Sequence, residues 1–228
     1  MAGHKIVGKT FFCLGSLLLV TIINAAEPAV NELTPQERKD GYVLMFNGRN
    51  LDGWEGDPAL WSVQDNAIVG STDGHPIRVN TFLIYKGTYS NFILKGDIKL
   101  RNLNSGIQFR SERLPGPGWI VKGLQADASE VGPEKSAWGN LYEERGRGRN
   151  IMATPDQGWL IAKDLVHHQG WNSYEILADG DHIRLTFNGR TTIDMHDRNA
   201  LSGIIALQMH AGEPMRVEFR NLKLKVLP

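Results

Sequence analysis

The chain has 228 residues, 41% hydrophobic and 22% charged, with 25 basic residues against 25 acidic ones. That is enough for one large β-sandwich or two small domains. A net charge of zero excludes the broad basic field on which binding to nucleic acid or an anionic membrane surface draws.

Residues 1–26 read as a secretory signal peptide. Lys5 and Lys9 make a positive start, an apolar run extends from Phe11 to Ile23, and Asn24-Ala25-Ala26 offers a small-residue cleavage site. The apolar run is shorter than the roughly 20 residues a membrane span needs, so export to the periplasm or beyond is expected, with no membrane attachment after cleavage. Cleavage would remove Cys13, the one cysteine, and with it any disulfide or Cys-based site. An exported protein without cysteine fits a bacterial periplasm. Removing Lys5 and Lys9 leaves 23 basic residues against 25 acidic, a net of −2.

Residues 27–40 form a leader. Thr34-Pro35-Gln36-Glu37 is a capping box with Pro at the first helical position, which predicts one short helical turn ending near Gly41. Strand patterns then run almost to the end of the chain. They cover Val43–Phe46, Trp61–Val69, Phe82–Tyr85, Phe92–Leu100, Gly106–Arg110, Ile120–Asp127, Tyr174–Ala178, His182–Phe187, Thr191–Met195, Gly203–His210 and Met215–Val226. Asn188-Gly189 between two of them is a strong hairpin signal. Many short strands separated by Gly and Asn turns predict an all-β fold, a sandwich or jelly roll of antiparallel sheets, over residues 41–228. One long segment, 128–170, interrupts the strands, and a long insert in a compact β domain is usually functional.

Residues i and i+2 of a strand point the same way. Gln108 and Arg110 therefore share a face opposite Ile107 and Phe109, Gln125 and Asp127 share one opposite Leu124 and Ala126, and Gln208 and His210 share one opposite Leu207 and Met209. Solvated strand faces carry such polar residues too, but Gln, Arg, Asp and His are groups that fix ligand hydroxyls by directional bonds. In the long segment, an extended Leu141–Arg145 places Tyr142 and Glu144 on one side and Glu143 on the other. Trp119, Trp138 and Trp159, in or near this segment, are candidates for stacking on sugar rings. The Arg145–Arg149 stretch lacks the net charge and aromatic platform of a nucleic-acid site. His75, His167 and His168 lack metal-ligand spacing. No Gly-x-Ser-x-Gly elbow, Walker loop or dinucleotide fingerprint is present.

Eight motifs in series carry a resemblance. They are Gly41-Tyr42-Val43-Leu44-Met45-Phe46-Asn47-Gly48-Arg49-Asn50-Leu51-Asp52-Gly53-Trp54, Asn104-Ser105-Gly106-Ile107-Gln108-Phe109-Arg110, Gly123-Leu124-Gln125-Ala126-Asp127, Leu141-Tyr142-Glu143-Glu144, Gly170-Trp171-Asn172, Leu185-Thr186-Phe187-Asn188-Gly189, Ala206-Leu207-Gln208-Met209-His210 and Phe219-Arg220-Asn221-Leu222. Together they resemble the 3-keto-disaccharide hydrolase domain family over about residues 40–227. The sequence departs from the family at Lys122-Gly123, where an acidic or bulky apolar residue is common.

The resemblance implies a concanavalin-like jelly-roll β-sandwich, export, and a carbohydrate substrate already oxidised to a ketone at C3. Such a ketone acidifies the C2 proton. A base removes that proton, the C1 substituent leaves by elimination, and water adds. The route needs a base, a stabiliser of the enolate and an acid for the leaving oxygen. Carried onto this sequence, Asp127 or Glu144 is base, His210 is acid or base, Arg110 polarises the ketone, and Gln108, Gln125, Gln208 and Tyr142 hold the sugar, with Trp138 of the long segment a further candidate to stack on it. A divalent metal ion on Asp127, Glu144 and His210 is a further option. Two alternatives stay open: a non-catalytic lectin-like module, since fold does not determine function, and an ordinary two-carboxylate glycosidase.

Overall fold

The computed structural model describes residues 29–130, 137–154 and 156–228, with Met1 and Gly3. Apart from those two residues, the expected signal peptide and its Cys13 lie outside the described residues. Among the described residues no helix is long and apolar enough to cross a membrane.

The capping box forms as expected. Helix α1 (Pro35–Lys39) starts at Thr34, whose Oγ1 accepts from the Glu37 backbone N–H while the Glu37 carboxylate accepts from the Thr34 N–H. The strands follow in chain order: β1 (Val43–Leu44), β2 (Trp54–Glu55), β3 (Trp61–Gln64), β4 (Ala67–Ser71), β5 (Thr81–Tyr89), β6 (Phe92–Leu100), β7 (Asn104–Arg113), β8 (Val121–Ser129), β9 (Leu141–Glu144), β10 (Asn172–Asp179), β11 (His182–Phe187), β12 (Arg190–His196), β13 (Gly203–Met209) and β14 (Arg216–Val226). The stretch expected as one strand over Trp61–Val69 is a hairpin. It turns at Asp65 and Asn66, both at positive φ, as the β11–β12 hairpin turns at Asn188 and Gly189. The long segment 128–170 is not all loop, because it supplies β9 and a short helix, α2 (Gln157–Ala162).

Two antiparallel sheets form a jelly-roll sandwich. One runs β12-β11-β10-β6-β14-β4-β3, with β1 also on β14; the other runs β2-β5-β13-β7-β8-β9. Strict alternation buries Phe92, Leu94, Ile98 and Leu100 of β6 against Ile107 and Phe109 of β7, Leu124 and Ala126 of β8, and Leu207 and Met209 of β13. This inner layer is the main core. The leader is fastened to the first sheet: Glu37 pairs with Lys223 at 2.8 Å, and Asn31 and Asn221 each accept the other's backbone N–H.

The outer face of the second sheet is divided. On the β5–β13 side, Phe82, Ile84, Val121 and Ala206 form a small second apolar cluster against Trp119 and Ile204. On the β7–β8–β9 side the outward residues are polar, and the candidate site lies there.

Candidate active site

Register brings the outward residues into rows. Phe82 faces Gln208, Ala206 faces Gln108, Gln108 faces Gln125, and Gln125 faces Tyr142. Their amides join head to tail. Ser111 Oγ donates to Gln108 Oε1 at 2.8 Å, and Gln108 Nε2 donates to Gln125 Oε1 at 2.9 Å. Gln125 Nε2 donates to Asp127 Oδ1 at 2.9 Å and approaches Gln208 Oε1 at 3.3 Å, while Gln208 Nε2 donates to Glu144 Oε2 at 3.2 Å. Two asparagines complete the ends: Asn104 Nδ2 reaches Asp127 Oδ1 at 2.9 Å, and Asn80 Nδ2 lies 3.4 Å from Glu144 Oε1.

Two glycines make the floor on which this chain lies. A Cβ on Gly106 would sit 2.6 Å from Gln125 Cγ, so only glycine lets the Gln125 side chain cross the sheet there. Gly123, the departure from the family pattern, has φ +143, and a Cβ on it would meet Ser111 Oγ at 2.4 Å. The missing side chain makes room for the bulged β7 strand beside it.

Both carboxylates are buried, and burial raises their affinity for protons. Asp127 is pushed up to about 6 by desolvation, with the nearby Glu144 charge adding to the rise; the Asn104 and Gln125 hydrogen bonds and the Arg149 charge oppose it. Desolvation also raises Glu144, opposed by Asn80, Arg145, His210 and Gln208. The half-buried Tyr142 phenol is raised by burial and by both carboxylates. His210 lies just past the end of β13. Its Nδ1 is 2.6 Å from the Ala211 carbonyl oxygen, which places a hydrogen on Nδ1. From beneath, the Tyr174 hydroxyl of the opposite sheet donates to the Asp127 carbonyl oxygen and accepts from Gly139 N–H at 2.5 Å.

Asp127, Glu144, His210, Tyr142, Gln108, Gln125 and Gln208 thus gather on one face. The glutamines do so in a different capacity from that expected. At 0% exposure for Gln108 and 1% for Gln125 and Gln208, they are spent on one another and on the carboxylates rather than left for sugar hydroxyls.

Arg110 and Trp138 do not join the site. At Arg110 the backbone turns to φ +45, and the β7–β8 register shifts between Phe109 and Glu112. This bulge reverses the alternation and re-aims the side chain. Arg110 donates to the Ser90 carbonyl at 2.8 Å and the Ala200 carbonyl at 3.2 Å, tying two end loops together. Arg110→Ala would remove both bonds and leave a cavity where the buried side chain lay. A stability loss of about 2–4 kcal/mol is expected in denaturant titration, with the site chemistry retained in the folded fraction.

Trp138 is 0% exposed and belongs to the core, 5.5 Å from the Phe187 ring and stacked near Tyr174. The chain before β9 dives inward there instead of running along a rim. Glu143 points away from Glu144, as alternation requires, and pairs with Arg147, which also holds Asp197.

The residues offered for a divalent metal ion, Asp127, Glu144 and His210, do not fit one. Among the described residues no three of His, Cys, Asp and Glu gather closely enough to hold a metal ion. The oxygens of Asp127 and Glu144 named above face amide N–H groups, which supply no ligand.

Three residues of the site are absent from the reading of the sequence. Asn80 precedes β5 and reaches Glu144 from another strand end. Asn104 opens β7 and shares parity with Gly106 and Gln108, so its motif did carry a signal. Arg149 lies past the Arg-Gly repeats, held to Asp156 at 2.6 Å, yet acts electrostatically on Asp127 and Tyr142.

Comparison with known proteins agrees with this geometry at the level of fold. A candidate glycosyl hydrolase from Parabacteroides distasonis ATCC 8503 superposes with a TM-score of 0.59 at 23% identity, over 87% of this chain and 100% of that one. A second candidate glycosyl hydrolase from the same organism gives 0.52 at 19%, over 82% and 99%. A Bacillus subtilis protein with a galectin-like fold gives 0.51 at 12%, over 76% and 89%. Among curated proteins none matches the chain. The family model of the 3-keto-alpha-glucoside-1,2-lyase-like domain matches residues 41–225, a span that begins just after α1 and ends one residue before the end of β14. With that match over most of its length, the chain belongs to the 3-keto-alpha-glucoside-1,2-lyase-like domain family.

Proposed function

We propose that this protein cleaves 3-keto-glycosides by elimination and hydration. The observation that carries the reading is the pair of buried carboxylates, Asp127 and Glu144, both raised in proton affinity and held on one sheet face by a single amide chain. Raised carboxylates suit proton transfer near neutral pH.

Asp127 takes the C2 proton, and the electrons of that C–H bond pass into the C3 carbonyl to give an enolate. Tyr142 and Arg149, the donor and the cation acting at this end of the face, stabilise the enolate oxygen. The carbonyl then re-forms, C1=C2 forms, and the C1–O bond breaks. The leaving oxygen takes a proton from protonated Glu144, near which His210 lies. Water adds across C1=C2 to give the free 3-keto sugar. The signal-peptide pattern of residues 1–26 supports an exported enzyme.

The test offers matched glycosides with and without the C3 ketone, in D2O, with and without a chelator, and follows products by mass. Cleavage of the ketone form alone is expected, with deuterium entering C2 and with no loss of rate on chelation. Equal cleavage of the unoxidised glycoside without C2 label would instead assign direct two-carboxylate hydrolysis. Binding without product release would assign a lectin-like module.

A further inference from the structure

Resting on that reading for its catalytic consequence, we propose that Asn104 and Gln125 are positioning residues which reserve Asp127 Oδ1 for accepting hydrogen bonds, so that every proton Asp127 takes up is carried on Oδ2.

The argument is one of donors and acceptors. Oδ1 receives two amide N–H groups, from Asn104 Nδ2 and Gln125 Nε2, each at 2.9 Å. A proton on Oδ1 would set an O–H against both. Gln125 cannot relieve this by turning over alone, because its Oε1 already accepts from Gln108 Nε2. Turning it would place N–H against N–H at that link and oxygen against oxygen at Gln208 Oε1.

Gln208, next along the chain, is held by its donation to Glu144. The direction of the chain therefore holds as a unit. Reversal would require three buried glutamines to turn together. The Gln125 N–H also lies 3.5 Å from the Ser105 carbonyl oxygen and would leave it on turning. The charged groups that act on Asp127 are Arg149 and Glu144.

The consequence is a choice of atom. In the elimination, the C2–H bond breaks toward Oδ2, its proton forms the Oδ2–H bond, and its electron pair goes to the C3 carbonyl. Oδ1 stays a carbonyl-like acceptor throughout, and its two donors offset the charge on Asp127 when it is ionised. Neither Asn104 nor Gln125 needs to touch the sugar.

Two measurements on the full chain test this without substrate. Infrared difference spectra between acid and neutral pH, with the Asp127→Asn spectrum subtracted, isolate the C=O stretch of protonated Asp127. With Oδ1 as a doubly hydrogen-bonded carbonyl, the stretch sits low in wild type. It is expected to rise in Asn104→Leu and in Gln125→Met, which remove one donor each at similar volume. Carbon-13 titration of the Asp127 carboxyl is expected to move its midpoint upward in both variants. Asn104, half-exposed at the start of β7, keeps the test available should the buried Gln125 variant fail to fold.

With 3-keto-glycoside, kcat is expected to fall roughly tenfold to hundredfold as the base loses its orientation, with KM little changed. An unmoved stretch and midpoint in a folded variant would overturn the proposal. Shifted spectra in a protein that turns over no keto-glycoside would overturn the elimination reading and leave the positioning role standing.

Discussion

Asp127→Asn is expected to abolish most turnover of a 3-keto-glycoside, by about 10²–10⁴-fold, the contribution typical of a positioned general base. The same variant is expected to be more stable than wild type at pH 8. In wild type, burial pushes Asp127 up to about 6 from an ordinary carboxylate value of 3.8, so the folded state binds the proton more tightly than the unfolded chain. The stabilisation from that proton is complete below about pH 4 and is lost as pH rises through about 6.

At pH 8 the folded protein therefore carries a desolvated charge that costs on the order of 1–3 kcal/mol. Asparagine removes this charge while its Oδ1 can still accept from Asn104 and Gln125. Thermal melts at pH 8 and pH 4 would check the sign: the variant should melt several degrees higher at pH 8, and the gap should close at pH 4. Equal melting at both pH values would show that Asp127 bears no such penalty. A gain in stability coupled to a loss of turnover is what a site that holds its base ionised and dry should give.

Trp138→Ala is the second large expected effect, and it falls on stability. Trp138 is fully buried against Tyr174 and Phe187, so truncation should cost about 3–5 kcal/mol in denaturant titration, and about 2–4 °C of melting temperature per kcal/mol at this chain length. Tyr174, against which it packs, donates to the Asp127 carbonyl oxygen, so turnover should fall as well.

Trp138→Phe separates packing from sugar contact. The indole N–H of Trp138 is buried without a partner, so phenylalanine forfeits no hydrogen bond. It should retain most of the stability, with KM unchanged. A tryptophan that stacked on sugar would behave oppositely, with little stability lost by Trp138→Ala and weakened substrate binding in both variants.

The two residues that the sequence misplaces, Arg110 and Trp138, show where local reading stops. Alternation placed Gln108, Gln125, Gln208, Tyr142 and Glu144 on their observed faces, because side-chain direction in an unbroken strand depends only on the backbone of that strand. Arg110 failed because a non-glycine residue at positive φ interrupts β7, and nothing in Phe109-Arg110-Ser111 announces it. The signal lay instead at Gly123 on the neighbouring strand, whose absent Cβ accommodates Ser111. Trp138 failed for another reason. Its segment looks like a loop, and whether a loop aromatic turns in or out depends on where β9 joins the sheet edge.

Length, composition, the capping box and the spacing of turns were enough to specify an antiparallel sandwich with a polar outer face, since each rests on contacts within a few residues. The motif series was enough for the family. Which polar groups meet was decided by tertiary structure alone. The register of β5, β13, β7, β8 and β9 brings residues far apart in sequence onto one surface, and the amides there bond to one another before any ligand arrives. Burial of Asp127 and Glu144, and the proton affinity that follows from it, arises only when the sheet and its flanking segments have closed around them.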